Sequence, residues 1–126
     1  MALKFLIVDD SVTMRRIVAN SLKTIGHDSY SEAGDGREAL AKLNSDNTIN
    51  FVITDWNMPE LSGLGLVRSI RSEPKYGSIP ILMVTTRGLK EDIIEALNAK
   101  VNNYIVKPFT PQILKDKIEQ IISTVG

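Results

Sequence analysis

The stretch Lys4–Arg16, KFLIVDDSVTMRR, decides how the rest of the chain is read. Phe5, Leu6, Ile7 and Val8 form a continuous apolar run, as expected of a strand covered on both faces. The run ends abruptly in two adjacent carboxylates, Asp9 and Asp10. Two like charges about 5 Å apart repel by roughly 3 kcal/mol at an effective dielectric of 20. Acids at the end of a buried strand therefore raise one another's pKa or recruit positive charge. Beyond them Met14, Ile17, Val18, Leu22 and Ile25 recur at helical spacing, and Gly26 predicts the helix end. His27, just after that stop, reads as surface loop.

The same strand-then-helix unit recurs down the chain. Further strands are expected at Ser29–Ala33, Phe51–Thr54, Ile81–Val84 and Asn103–Val106, the first of these half polar and edge-like. Helices are expected from Gly36 with Ala39, Leu40 and Leu43, over SGLGLVRSIRS before Pro74, and over LKEDIIEALNA. The last carries Leu114, Ile118, Ile121, Ile122 and Val125. Five β–α units in strict alternation predict an α/β fold, a five-stranded parallel sheet doubly wound by helices on both faces. In such sheets ligands bind at the carboxyl ends of the strands.

Composition narrows the class. At 126 residues the chain is expected to form a single domain, 1–126, large enough to fold without disulfide or metal staples. Cysteine is absent, which excludes disulfides and thiol chemistry and fits a reducing cytoplasm. Fifteen basic and fifteen acidic residues balance, so bulk charge gives no drive toward nucleic acid. No signal-peptide pattern and no apolar run of bilayer-spanning length occur, so no membrane insertion is expected. The expectation is a cytoplasmic protein.

The strand ends supply the chemistry. Strand one ends in Asp9 and Asp10, strand three in Asp55, strand four in Thr85 and Thr86, and strand five in Lys107-Pro108. Oxygen ligands without nearby His or Cys favour a hard cation such as Mg²⁺, which binds through one or two carboxylates plus substrate phosphate. A carboxylate can accept a phosphoryl group as nucleophile, and positive charge around the transferred group assists. Asp55, alone at the end of a central strand, suits the nucleophile, and the Asp9–Asp10 pair suits the metal. Lys107 offers a point charge and Thr85 a hydroxyl donor. Each residue also has a plainer reading. Asp10 or Ser11 suits a helix N-cap, Asp55 suits a turn before Trp56-Asn57-Met58-Pro59, and Lys107 suits a solvated surface. Their convergence on one rim favours the chemical reading.

FLIVDDS, FVITDWNMPELSGL, ILMVTT and NNYIVKPFT, in this order and spacing, resemble the receiver domains of two-component response regulators across essentially the whole chain. The resemblance is to free-standing, CheY-like receivers of the chemotaxis type, and it implies the flavodoxin-like strand order 2-1-3-4-5. It further implies Asp55 as phosphoacceptor from a histidine kinase, and Mg²⁺ held by Asp9, Asp10, Asp55 and the backbone carbonyl of Asn57. It makes Lys107 the phosphoryl contact, with Thr85 as switch hydroxyl and Tyr104 as rotating aromatic. Phosphorylation would draw Thr85 inward and let the Tyr104 ring turn in, altering the face formed by the fourth helix, fifth strand and fifth helix. The implied partners are a chemotaxis kinase, the flagellar motor switch and a phosphatase, with slow self-dephosphorylation and no conventional turnover. A receiver serving another phosphorelay is the alternative. Two departures stand out: Ala99-Lys100-Val101 replaces the family's small-residue turn, and Arg87 lies where family members vary and tune phosphoryl lifetime.

Rival classes fit poorly. An aspartate-nucleophile phosphatase needs a second acid two residues after the nucleophile, where this chain has Asn57. A flavodoxin needs a hydroxyl- and glycine-rich phosphate loop where this chain has two acids. A basic recognition helix for DNA is missing.

Overall fold

A computed structural model describes residues 2–125, except for the side chain of Val125. The elements alternate as the pattern predicts: β1 (Phe5–Val8), α1 (Val12–Thr24), β2 (Tyr30–Ala33), α2 (Gly36–Ser45), β3 (Phe51–Thr54), α3 (Gly63–Arg71), β4 (Ile81–Thr85), α4 (Lys90–Asn98), β5 (Asn103–Val106) and α5 (Pro111–Val125). All strand pairs are parallel, in the order β2-β1-β3-β4-β5. The half-polar β2 is an edge strand, and β3 lies at the centre. None of the described helices is long and apolar enough to cross a membrane.

Strand alternation divides the interior into two layers. Leu6, Val8, Val52, Ile81, Met83 and Tyr104 pack with residues of α2, α3 and α4. Their neighbours Phe5, Ile7, Phe51, Ile53, Leu82, Val84 and Ile105 pack with α1 and α5. This is the period-two geometry of strands buried on both faces. Each buried large aliphatic or aromatic side chain is worth about 1.5–3 kcal/mol.

The helix ends explain where each unit stops. Ser11, Asp35 and Ser62 cap α1, α2 and α3 by accepting hydrogen bonds from Met14, Glu38 and Gly65 amides. After α1, Gly26 takes φ +98, the Gly26 amide donates to the Lys23 carbonyl, and the His27 amide donates to that of Leu22. That pair of bonds is the Schellman arrangement a glycine favours.

Two local expectations need correction. Ile17, placed on the buried stripe of α1, is 44% exposed, because the inner face consists of Val18, Ala19, Ser21 and Leu22. His27 is not bare surface loop: its ring meets Phe5 edge-on at 5.1 Å, drawn inward by the turn that closes α1. The Val125 side chain, expected on the α5 stripe, lies outside what is described.

Candidate functional site

Alternation in the strands also sorts the rim. Asp9, Asp55 and Lys107 continue the odd-numbered rows of β1, β3 and β5 that face α1 and α5, whereas Thr85, Tyr104 and Trp56 continue the rows that face α3 and α4. The rim therefore holds two clusters, back to back across the sheet.

In the first cluster the Lys107 ammonium donates to Asp9 Oδ2 at 3.1 Å and to Asp55 Oδ2 at 3.3 Å. Residues nearly a hundred positions apart thus meet, and a lysine answers the charge problem at the end of β1. All three side chains are largely shielded, at 7% exposure for Asp9, 13% for Asp55 and 11% for Lys107. Asp9 Oδ1 also accepts from the Ser11 amide at 2.9 Å, and Asp55 Oδ1 from the Trp56 amide at 2.6 Å. Burial pushes the Asp9 carboxyl above 3.8; the Ser11 amide and Lys107 oppose the rise, and the Asp55 charge adds to it. The Lys107–Pro108 peptide is cis. A groove lined by Met14, Ile17, Thr86, Lys107, Pro108 and Phe109, of about 310 Å³, opens beside the lysine.

Asp10 does not join this group. It is exposed on the rim, and no hydrogen bond or ion pair involves its side chain among the described residues. The chain turns into α1 there, so consecutive acids point apart. Among the described residues no three acidic or histidine side chains gather into a metal-holding cluster. The donor set nevertheless suits a hard divalent ion that keeps several waters. Asp9 and Asp55 share one focus, Asp10 stands at its edge, and the Asn57 carbonyl accepts no hydrogen bond among the described residues.

In the second cluster Thr85 is fully buried at the end of β4, and its hydroxyl lies 3.4 Å from the Arg87 amide. Tyr104 is 8% exposed, packs into the α2–α4 layer and donates its hydroxyl to the Arg87 carbonyl at 2.8 Å. Burial first, and then the Asp92 charge, push the Tyr104 hydroxyl up to about 12, so it remains a donor at neutral pH. The Arg87 guanidinium lies over Trp56, 4.5 Å from the ring centroid, and its Nε donates to Asn57 Oδ1 at 3.0 Å.

Two contributors were not singled out from sequence. Arg15, one turn into α1, donates to the Asp9 carbonyl at 2.5 Å and to Glu32 of β2 at 2.9 Å, fixing the backbone that carries Asp9. Its signal was a lone acid inside half-polar β2, in register with Ile7. Gly63 brings α3 against the acceptor turn: its amide donates to the Trp56 carbonyl at 2.8 Å, and a Cβ there would sit 1.9 Å from the Asp55 carbonyl oxygen. Between them Pro59–Leu61 form a γ-turn, with Glu60 at φ 67 and a Leu61-to-Pro59 hydrogen bond of 2.7 Å. Lys100, in the Ala99-Lys100-Val101 turn before β5, takes φ 82.

Comparison with known proteins identifies the family. The family model described as "Response regulator receiver domain" matches residues 5–119. The chain is 55% identical to a chemotaxis protein CheY homolog of Campylobacter jejuni over 122 residues, covering 97% of this chain and 94% of that one. It is 52% identical to chemotaxis protein CheY1 of Helicobacter pylori, covering 97% and 98%. The solved structure of Vibrio cholerae chemotaxis protein CheY4 superposes with a TM-score of 0.87 at 35% identity, covering 96% and 99%. With the family model spanning nearly all of its length and relatives of this kind on both sequence and structure, the chain belongs to the response regulator receiver domains, among those of the CheY type.

Proposed function

We propose that residues 1–126 act as one phosphorylation-activated signalling switch. Asp55 accepts a phosphoryl group from a histidine kinase: the P–N bond of the phosphohistidine breaks, an Asp55 carboxylate O–P bond forms, and the imidazole leaves with a proton. The observation that carries this reading is the meeting of Asp9, Asp55 and Lys107 at the carboxyl ends of β1, β3 and β5. Asp55 is shielded enough to be positioned and keeps 13% of its side chain exposed at the rim. Lys107 already holds its ammonium beside Asp55 Oδ2 and needs little movement to meet a phosphoryl oxygen.

Receivers of this type generally use Mg²⁺; here Asp9, Asp10, Asp55 and the Asn57 carbonyl would hold it, and it would neutralise charge on the phosphoryl oxygens. Thr85 supplies the hydroxyl that a phosphoryl group attracts, and Tyr104 the ring whose packing follows. The output face spans α4, β5 and α5, and its partner is the flagellar motor switch. The names of the Campylobacter and Helicobacter relatives support chemotaxis over another phosphorelay. The switch works in the cytoplasm and hydrolyses its own phosphoryl group slowly, with a phosphatase as a further partner.

Intact mass after incubation with acetyl phosphate tests the acceptor. Wild type gains one phosphoryl group only with Mg²⁺, and Asp55→Asn gains none. Equal labelling of Asp55→Asn would move the acceptor elsewhere, and no labelling of wild type under any condition would end the proposal.

A further inference from the structure

α4 is weakly anchored at its start. Only Ala96 is buried among its residues, and its N-cap, Leu89, offers no side-chain hydrogen bond and is 67% exposed. The first-turn amides thus lack the cap that Ser11, Asp35 and Ser62 give α1, α2 and α3. What reaches this turn instead is Arg87, whose Nη1 lies 3.4 Å from Asp92 Oδ1. The same guanidinium covers Trp56 at 4.5 Å and donates to Asn57 at 3.0 Å. Arg87's main chain meets Thr85 and Tyr104. One residue therefore touches the acceptor turn, both switch residues and α4. Its contact with Asp92 is the loosest of its polar side-chain contacts, with Arg87 40% exposed and Asp92 19%.

We propose that the Arg87 side chain is a latch tying the first turn of α4 to the acceptor turn, and that a phosphoryl group on Asp55 opens it by drawing the guanidinium off Asp92. The opening step rests on Asp55 being the acceptor; the latch itself does not. Asn57, two residues after Asp55, holds the guanidinium on the acceptor turn. A bound phosphoryl group carries more charge than one carboxylate and offers the planar fork a bidentate partner. Asp92 then loses its cation, and the uncapped turn 90–92 loses its tether. This acts on the start of α4 through a side chain, separately from any rotation of the Tyr104 ring, and a local charge change biases a helix end that is already poorly held.

Amide hydrogen exchange over residues 90–94 tests both steps, in wild type, Arg87→Ala, Arg87→Lys and Asp92→Asn, with intact mass recording phosphorylation. Without a phosphodonor, Arg87→Ala and Asp92→Asn are expected to exchange about threefold faster there, the scale of a half-exposed ion pair, with β3 unchanged. Arg87→Lys keeps the charge without the fork and falls between. With acetyl phosphate and Mg²⁺, wild type speeds up similarly, and fully phosphorylated Arg87→Ala gains little more. Wild-type exchange in the unphosphorylated variants overturns the latch. A full phosphorylation response in Arg87→Ala overturns the opening step. Absence of phosphorylation in wild type removes the acceptor reading and the opening step together, while the unphosphorylated comparison still decides the latch.

Discussion

Asp9 lies where folding and chemistry pull apart. Its folded pKa is above 3.8, chiefly because burial disfavours the charge. A raised folded value means the folded state holds the proton more tightly than the unfolded chain. Asp9's contribution to stability therefore falls as pH rises from the unfolded value through the folded one, and the ionised group opposes folding at neutral pH. Asp46 runs the other way. Lys4 at 2.6 Å and then Thr48 hold it at about 2, so its contribution is present above 3.8 and is lost as pH falls through about 2. Replacing Asp9 by Asn is expected to stabilise the protein by about 1 kcal/mol at pH 7, the usual gain when a functional-site residue is relieved of its task. The advantage should shrink as pH falls below 3.8, the value above which the folded Asp9 carboxyl is raised. Urea midpoints on either side of that value check this, and a less stable Asp9→Asn at pH 7 would mean that the Lys107 pairing outweighs burial. Sequence was sufficient to flag the charge conflict at Asp9 and to bring Lys107 to the same rim, because both stand at strand ends. It met the conflict with a metal ion, however, and gave Lys107 to the phosphoryl group; the pairing of Lys107 with Asp9 emerges only in the fold. The sequence placed Asp10 with them only by adjacency, and the turn into α1 separates the two acids.

At the scale of elements, the acceptor turn is shaped by how closely α3 approaches β3. Gly63 makes that approach, since any side-chain carbon there would fall 1.9 Å from the Asp55 carbonyl oxygen and 2.8 Å from Trp56 Cα. These are backbone atoms, which cannot swing away as a side-chain tip would. Gly63→Ala should therefore cost on the order of 3 kcal/mol and slow phosphorylation, because α3 and the Asp55–Trp56 turn must part. Gly65→Ala is the control: its nearest contact is the movable Leu61 Cδ1 at 2.8 Å, so a smaller loss is expected. Equal losses in thermal unfolding would show that the turn yields freely. The existence and order of the elements were legible from apolar runs and caps; this close approach was not. Nothing in the letters SGLGL distinguishes a glycine required by a neighbour from one tolerated in a helix. The latch on α4 was hidden for a similar reason, since Arg87, Asn57 and Asp92 become neighbours only when β3 and β4 pair.

For the whole molecule, the sheet sets the acceptor group Asp9, Asp55 and Lys107 on its α1–α5 side and the Tyr104 ring on the other. Both layers are essential to the fold, yet Tyr104 and Trp56 belong to the layer of α2, α3 and α4. Leu114 belongs to the other, with α1 and α5. Met83 is paired in register with Tyr104 and is fully buried in the same layer. Truncating either buried residue to Ala should cost about 2–5 kcal/mol. The consequences for switching should differ. Met83→Ala opens space beside the Tyr104 ring, so the ring's packing no longer depends on what happens at Asp55. Leu114→Ala leaves those surroundings intact on the far side of the sheet. Trp56, the one tryptophan in the chain, reports the change directly. Acetyl phosphate should alter its fluorescence in Leu114→Ala as in wild type, measured where both variants are folded, and should do so much less in Met83→Ala. If both variants lost the response in proportion to their lost stability, the two layers would be one cooperative unit, and the switch would have to be a property of the whole core.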